Sequence, residues 1–170
     1  MILGMSTFTF TVVHTIISLI GIFSGAVVVY GMLSAKRLEG WTALFLITTV
    51  LTSVTGFFFP ITKIGPPHIV GAISLVVLAV AIPALYMYRL TGAWRWIYVA
   101  GAVLSLYLNV FVGVVQAFQK LPFLKPLAPT QSEPPFLVAQ LLVLALFIVL
   151  GIKAVRSFHP EPKAPALSMV

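Results

Sequence analysis

Along the chain, apolar residues fall into five long runs separated by short polar or proline-bearing breaks, at about 8–32, 41–59, 68–88, 96–118 and 135–153. Each run is close to the roughly 20 residues an α-helix needs to cross a hydrocarbon layer. The breaks carry stop and start signals: Lys36 and Arg37 after the first run, Pro60 after the second, Pro66 and Pro67 before the third, Pro134 and Pro135 before the fifth. The expected fold class is all-α, an integral membrane bundle of five transmembrane helices in a single domain over 1–155. Residues 156–170, rich in Pro, read as a disordered cytoplasmic tail. The first run does not read as a cleaved signal, because residues 1–7 carry no Lys or Arg and the basic pair follows the run.

Composition agrees with the pattern. At 61% hydrophobic and 8% charged, the chain lies outside the range of soluble domains. No break between runs is long enough for a second folded unit. The absence of cysteine removes disulfides, thiolate metal sites and CxxC redox chemistry. A net charge of +7 raises the question of nucleic acid, but the cations sit at run ends, as juxtamembrane residues do; the expected partner is the lipid bilayer, with no nucleic acid.

Charge also predicts orientation. Lys36, Arg37, Arg89, Arg95, Lys153, Arg156 and Lys163 fall on one side of a five-span arrangement, against Lys63, Lys120 and Lys125 on the other. The positive-inside rule then places the amino terminus outside and the carboxy terminus in the cytoplasm. Tyr30, Trp41, Tyr86, Tyr88, Trp94, Trp96 and Tyr98 gather at the inner interface as an aromatic belt.

The polar residues inside the runs are few, and this topology draws them to the outer half. His14, His68, Gln116 and Gln140 lie near the outer leaflet, and Asn109 lies deeper. Helical spacing sets His14, Ser18, Gly21 and Gly25 on one stripe, Thr48, Thr52 and Thr55 on another, and Gly101, Ser105, Asn109, Gly113 and nearly Gln116 on a third. The ordinary reading of Ser18, Gly21, Gly25, Thr48, Thr52, Gly101, Ser105 and Gly113 is close helix packing. Asn109 needs a partner within the protein under any reading.

The sharper readings concern ligands. His14 and His68 could ligate haem b from two helices, with Lys63, Lys120 or Lys125 for its carboxylates, although His68 lies about two turns shallower. A copper site would add Met1 and Met5, which fall in a terminus expected to be mobile. The segment 120–135 contains five prolines in sixteen residues and reads as a stiff cap. Its Glu133 either serves as an N-terminal helix carboxylate or joins Gln131, Gln116 and Gln140 around an outer pocket, with Phe118, Phe123 and Phe136 about its apolar part. Such a pocket would take the head of a quinone or lipid.

The runs LNVFVGVVQAFQKLPFLKPLAPTQSEPPF, HTIISLIGIFSG and GWTALFLITTVLTSVTGF resemble an uncharacterised family of small multi-pass inner-membrane proteins of bacteria. The resemblance implies a multi-pass bacterial inner-membrane location and supplies no activity or catalytic residue. With three acidic residues and no HExxH, GxSxG or phosphate-binding glycine loop, an enzyme is not expected. A small-solute transporter lacks the usual intramembrane carboxylate. The expected role is a binding or accessory module for haem, quinone or lipid. The alternative is a homo-oligomer or a subunit that docks on a larger membrane complex through its small-residue faces.

Overall fold

The structure, a computed structural model, describes residues 1–59 and 66–160; the expectations placed on Pro60, Lys63, Lys163 and the tail from 161 onward lie outside them. Five helices follow in order: α1, Thr7–Leu33; α2, Glu39–Gly56; α3, Pro66–Tyr86; α4, Ala93–Lys120; and α5, Pro134–Ser157. A 3₁₀ turn, Lys125–Leu127, lies between α4 and α5. Local chemistry sets the ends. Ser6 caps α1 by accepting from the Thr9 N–H at 3.1 Å. Prolines occupy the first two positions of α5, where a backbone N–H would have no helical acceptor.

Four helices, Thr7–Leu33, Pro67–Tyr86, Ala93–Lys120 and Pro134–Ser157, are long and apolar enough to cross a membrane. The five spans expected from the apolar runs therefore reduce to four on this measure, because α2 does not reach it. Its 18 residues begin with Glu39 and include Thr42, Thr48, Thr49, Thr52, Ser53 and Thr55, which dilute its apolar content.

Neighbouring helices run antiparallel, and specific contacts fix their register. Along α1 and α2, Gly25 meets Phe45, Gly21 meets Thr48, and His14 meets Thr55. Gly101 of α4 meets Ala81 of α3, and Gly151 of α5 meets Val103 of α4. Helix α4 packs against all four others and is the centre of the bundle. One end, here the loop end, carries the starts of α1, α3 and α5 and the segment between α4 and α5. The other, the basic end, carries Lys36, Arg37, Arg89, Arg95, Lys153 and Arg156 and the stacked rings of Tyr88 and Trp94, 3.9 Å apart.

The filled core belongs to the basic half. Val28, Val29 and Met32 of α1, Phe45 and Leu46 of α2, Leu78, Ala84 and Leu85 of α3, Tyr98, Val99, Ala102, Val103 and Leu106 of α4, and Phe147, Ala154 and Phe158 form one buried cluster. Phe158 corrects the expected tail. Helix α5 continues through Ser157, and Phe158 is buried beside Tyr98 while Arg95 donates from Nη1 to its carbonyl at 2.8 Å and to that of Val155 at 2.9 Å. An arginine thus closes the carboxy end of α5, where unpaired carbonyls attract a cation. The amino terminus, expected to be mobile, closes into a turn in which Ile2 and Met5 exchange backbone hydrogen bonds of 2.9 and 3.0 Å.

Candidate functional site: a polar vestibule between α1, α2 and α4

Burial changes along α4 at Asn109. The residues buried before it include Tyr98, Val99, Ala102, Val103, Ser105, Leu106 and Leu108, whereas every residue from 109 to 117 is only half-buried, until Phe118. Helix α1 behaves alike: apart from Phe10, its buried positions run from Gly21 to Met32. Along α1 and α4 burial thus falls off toward the loop end, while α2 stays buried through Ser53 and Phe118, Ala128 and Phe136 form a second cluster there.

Polar side chains line the α1–α2–α4 side of the loop-end half. Three polar atoms converge on Gly21, where an added Cβ would lie 3.2 Å from Thr48 Oγ1, 3.5 Å from Asn109 Nδ2 and 3.6 Å from Thr49 Oγ1. Asn109 donates to Thr49 Oγ1 at 3.3 Å. Glycine at position 21 is what lets an amide of α4 and two hydroxyls of α2 meet over the surface of α1. One step toward the loop end, Ser18 donates to the His14 carbonyl at 2.8 Å, and Thr52 lies on the same stripe of α2 as Thr48 and Thr55. Among the described residues the buried Thr52 Oγ1 has no hydrogen-bond partner. At the mouth, His14 Nδ1 and Thr55 Oγ1 are 2.8 Å apart, with the Phe59 ring edge-on to the imidazole at 5.2 Å. Gly113 and Gln116 continue the Asn109 face of α4, and Gly113 lies against Ile22 of α1.

Other candidate residues stand elsewhere. His68 lies in the first turn of α3 with its ring 6.0 Å from that of Phe57. Helix α3 packs on α2 and α4, and α1 packs on α2, α4 and α5. The two histidines share an end of the bundle but stand against different phenylalanines on helices without a broad common surface, an arrangement that lends no support to one haem iron or copper ion held between them. Among the described residues no group of three or more His, Asp and Glu could hold a metal ion. Gln140 sits between α5 and α4, donating to the Phe111 carbonyl at 3.2 Å, and its buried Oε1 has no partner among the described residues.

The proline-rich segment is organised by its own side chains rather than ringed around a pocket with Gln116 and Gln140. Gln131 donates from Nε2 to the Val115 carbonyl at 3.0 Å and accepts from Gln119 at 3.2 Å. Glu133 sits at the N-cap of α5 without a capping side-chain bond. The reason is chemical: Pro134 and Pro135 offer no N–H and that of Phe136 goes to the Glu133 backbone carbonyl at 3.1 Å, so the carboxylate turns back to accept from Thr130 N–H and Oγ1 at 3.0 and 2.8 Å and from Ser132 N–H at 3.1 Å. Ala128 seats the segment on the edge-to-face pair Phe118 and Phe136, whose rings are 5.5 Å apart. Phe123 is exposed. A shallow cleft of about 440 Å³ remains beside it, lined by Phe118, Gln119, Lys125, Ala128, Pro129, Thr130 and Gln131.

The packing glycines are engaged within the chain. A Cβ at Gly25 would come within 2.7 Å of Leu106 and 2.8 Å of Phe45, and one at Gly101 within 2.9 Å of Ala81. The GxxxG face of α1 is thus covered by α2 and α4. Ser105 is fully buried one turn below Asn109, and its Oγ has no partner among the described residues. Sequence reasoning missed Thr49 and the grip of Arg95. Two adjacent threonines in mid-helix were the available signal for Thr49, since neighbours about 100° apart can serve two different helices.

No protein-family model, curated protein or solved structure matches the chain. What the fold defines is a helical membrane protein, and any assignment of its role rests on its own residues.

Proposed function

We propose that this is a five-span membrane protein, amino terminus outside, that holds the polar head of an outer-leaflet amphiphile such as a quinone-type or lipid molecule in the α1–α2–α4 vestibule. Helix α2 is the fifth span. At 1.5 Å per residue it is about 27 Å long, and it follows α1 from Leu38 beside Gly31 to Thr55 beside His14. Two of its hydroxyls return to carbonyls one turn back, Thr48 to Leu44 at 2.7 Å and Thr55 to Leu51 at 2.6 Å, and its polar face meets α1 and α4. Six described cations at the basic end against Lys120 and Lys125 at the other support a cytoplasmic basic end.

The observation that carries the reading is the coincidence of the falling burial along α1 and α4 with the polar lining from His14 to Asn109. A ligand head there finds hydrogen bonds, while its chain can stay in lipid beside the exposed apolar faces of α1 and α2. Mass spectrometry of protein purified in mild detergent tests it. A stoichiometric amphiphile should accompany the wild-type chain and be lost from Asn109→Leu; a preparation that carries no small molecule sinks the reading.

A further inference from the structure

The segment between α4 and α5 carries a second arrangement, which does not depend on the vestibule. At 1.5 Å per residue α4 runs about 37 Å from Arg95 to Lys120, more than the roughly 30 Å hydrocarbon core of a bilayer and less than the roughly 40–45 Å that includes both headgroup layers. A bilayer that holds Arg95 among the headgroups at the basic end therefore holds Lys120, and the segment after it, at headgroup depth. The segment is pinned there. Ala128 is buried against Phe118 and Phe136, the 3₁₀ turn Lys125–Leu127 packs on α4, and Gln131 reaches back to the Val115 carbonyl at 3.0 Å. With that underside fixed, Leu121, Phe123 and Leu127 remain exposed, Phe123 at 69%. At headgroup depth such side chains lie within reach of the acyl boundary.

Beside them the cleft of about 440 Å³ sets Lys125, Gln119 and Gln131 against the apolar Phe118 and Ala128. No carboxylate lines it, and among the described residues Lys125 forms no ion pair. Glu133, bonded to Thr130 at the rim of the cleft, is also engaged by Ser132. The amide orientations follow from the Val115 carbonyl, which can only accept. Gln131 must present its NH₂ there, so its Oε1 takes a proton from Gln119 at 3.2 Å, and each amide keeps one further N–H. An ammonium and two N–H groups together suit the oxygens of a phosphate diester. We propose that the segment is an interfacial anchor: Leu121, Phe123 and Leu127 enter the acyl boundary of the leaflet at the loop end, and the cleft binds the phosphate of an anionic phospholipid of that leaflet through Lys125. A zwitterionic head would bring its own ammonium beside Lys125 with no carboxylate in the cleft to receive it.

The chain has no cysteine, so a single introduced one places a label uniquely. In nanodiscs of phosphatidylcholine mixed equally with phosphatidylglycerol, a nitrobenzoxadiazole dye on Phe123→Cys should be quenched by nitroxide-bearing acyl chains and shielded from iodide, as should the reference Leu141→Cys on the exposed face of α5. A dye at 123 that iodide quenches and the nitroxide spares overturns the inference. Native mass spectrometry of the full chain released from the same nanodiscs reads the headgroup. A phosphatidylglycerol adduct should outlast any of phosphatidylcholine, and Lys125→Gln should weaken it at least about tenfold, the worth of one hydrogen bond to a charged group. Lys153→Gln, the same loss of charge at the basic end, should leave it unchanged. Equal retention of the two lipids, an adduct indifferent to Lys125→Gln, or an equal loss from both lysine variants likewise overturns the inference. Asn109→Leu, aimed at the vestibule, should not remove this adduct, so the two sites are judged apart.

Discussion

Replacing Gly25 by alanine tests the α1–α2–α4 packing on which the vestibule depends. The new Cβ would lie 2.7 Å from Leu106 Cδ1 and 2.8 Å from Phe45 Cδ2 and Cε2. Neither neighbour can retreat, since Phe45 is 1% and Leu106 3% exposed within the filled half of the bundle. Overpacking of this kind costs about 1–3 kcal/mol, against roughly 1 kcal/mol gained by alanine over glycine within a helix. The net effect runs from neutral to a loss of about 2 kcal/mol. Gly113→Ala is the control: its Cβ would meet only Ile22 Cδ1 at 3.7 Å, an ordinary contact, so the helix gain of about 1 kcal/mol should survive. Reversible unfolding in mixed micelles with increasing dodecyl sulfate, followed by circular dichroism, should separate the two variants by about 1–3 kcal/mol. Equal stability of the two, or a more stable Gly25→Ala, would refute the packing and the register it implies.

Asn109→Leu should cost no more than about 1 kcal/mol of stability, because one 3.3 Å interhelical bond in a membrane bundle is worth about 0.6 kcal/mol, and yet it should abolish amphiphile retention in the mass spectrum. Arg95→Ala removes both bonds to the end of α5 and should cost about 1.5–3 kcal/mol, with faster trimming of the carboxy terminus by carboxypeptidase. At Glu133, desolvation pushes the carboxyl pKa up, but the bonds from the Thr130 hydroxyl and N–H and the Ser132 N–H outweigh it and hold the pKa below the usual carboxylate value. A depressed folded pKa means a contribution that is complete above about pH 4.3 and disappears as pH falls through the lower folded value. Limited proteolysis of segment 120–135 should therefore accelerate on acidification in the wild-type chain, and Glu133→Gln should be cleaved at the acid rate throughout.

The helices were legible because their cause is local. Apolar runs of membrane length bounded by Pro, Gly and charge leave the backbone one way to satisfy its polar groups. The stripes of His14, Gly21 and Gly25, of Thr48, Thr52 and Thr55, and of Asn109 and Gly113 followed from helical geometry alone. What spacing cannot supply is register. Only the offset of α1 against α2 and α4 decides that Gly21 faces Asn109 and that Gly25 is filled by Phe45 and Leu106, leaving neither for a partner chain. Glu133 does stand at the N-cap of α5, as its proximity to the helix start suggests, but its side chain makes no cap bond: Pro135 has no N–H and that of Phe136 goes to the Glu133 backbone carbonyl. Gln131 does line a cleft with Phe118, but Gln116 and Gln140 do not, and its amide is bonded back to the Val115 carbonyl.

The polarity of α2 and the sparseness of side-chain bonds across the α1–α2–α4 seam follow from one physical cause. In lipid no hydrophobic force pulls helices together, so contact is made where small residues allow close approach and polar groups find partners. In the basic half, Gly25 and Gly101 permit that approach, and Phe45, Leu106 and Ala81 fill it. Beyond Gly21 the stripes change from glycine and aromatic to hydroxyl, amide and imidazole, and each hydroxyl that returns its proton to its own helix gives up the chance to bind a neighbour. Thr48 and Ser18 make that return, and among the described residues the side-chain bonds across the seam are those of His14 with Thr55 and Asn109 with Thr49. The same back-bonding that lets a threonine-rich helix enter the membrane therefore leaves fewer hydroxyl protons to bond across the seam.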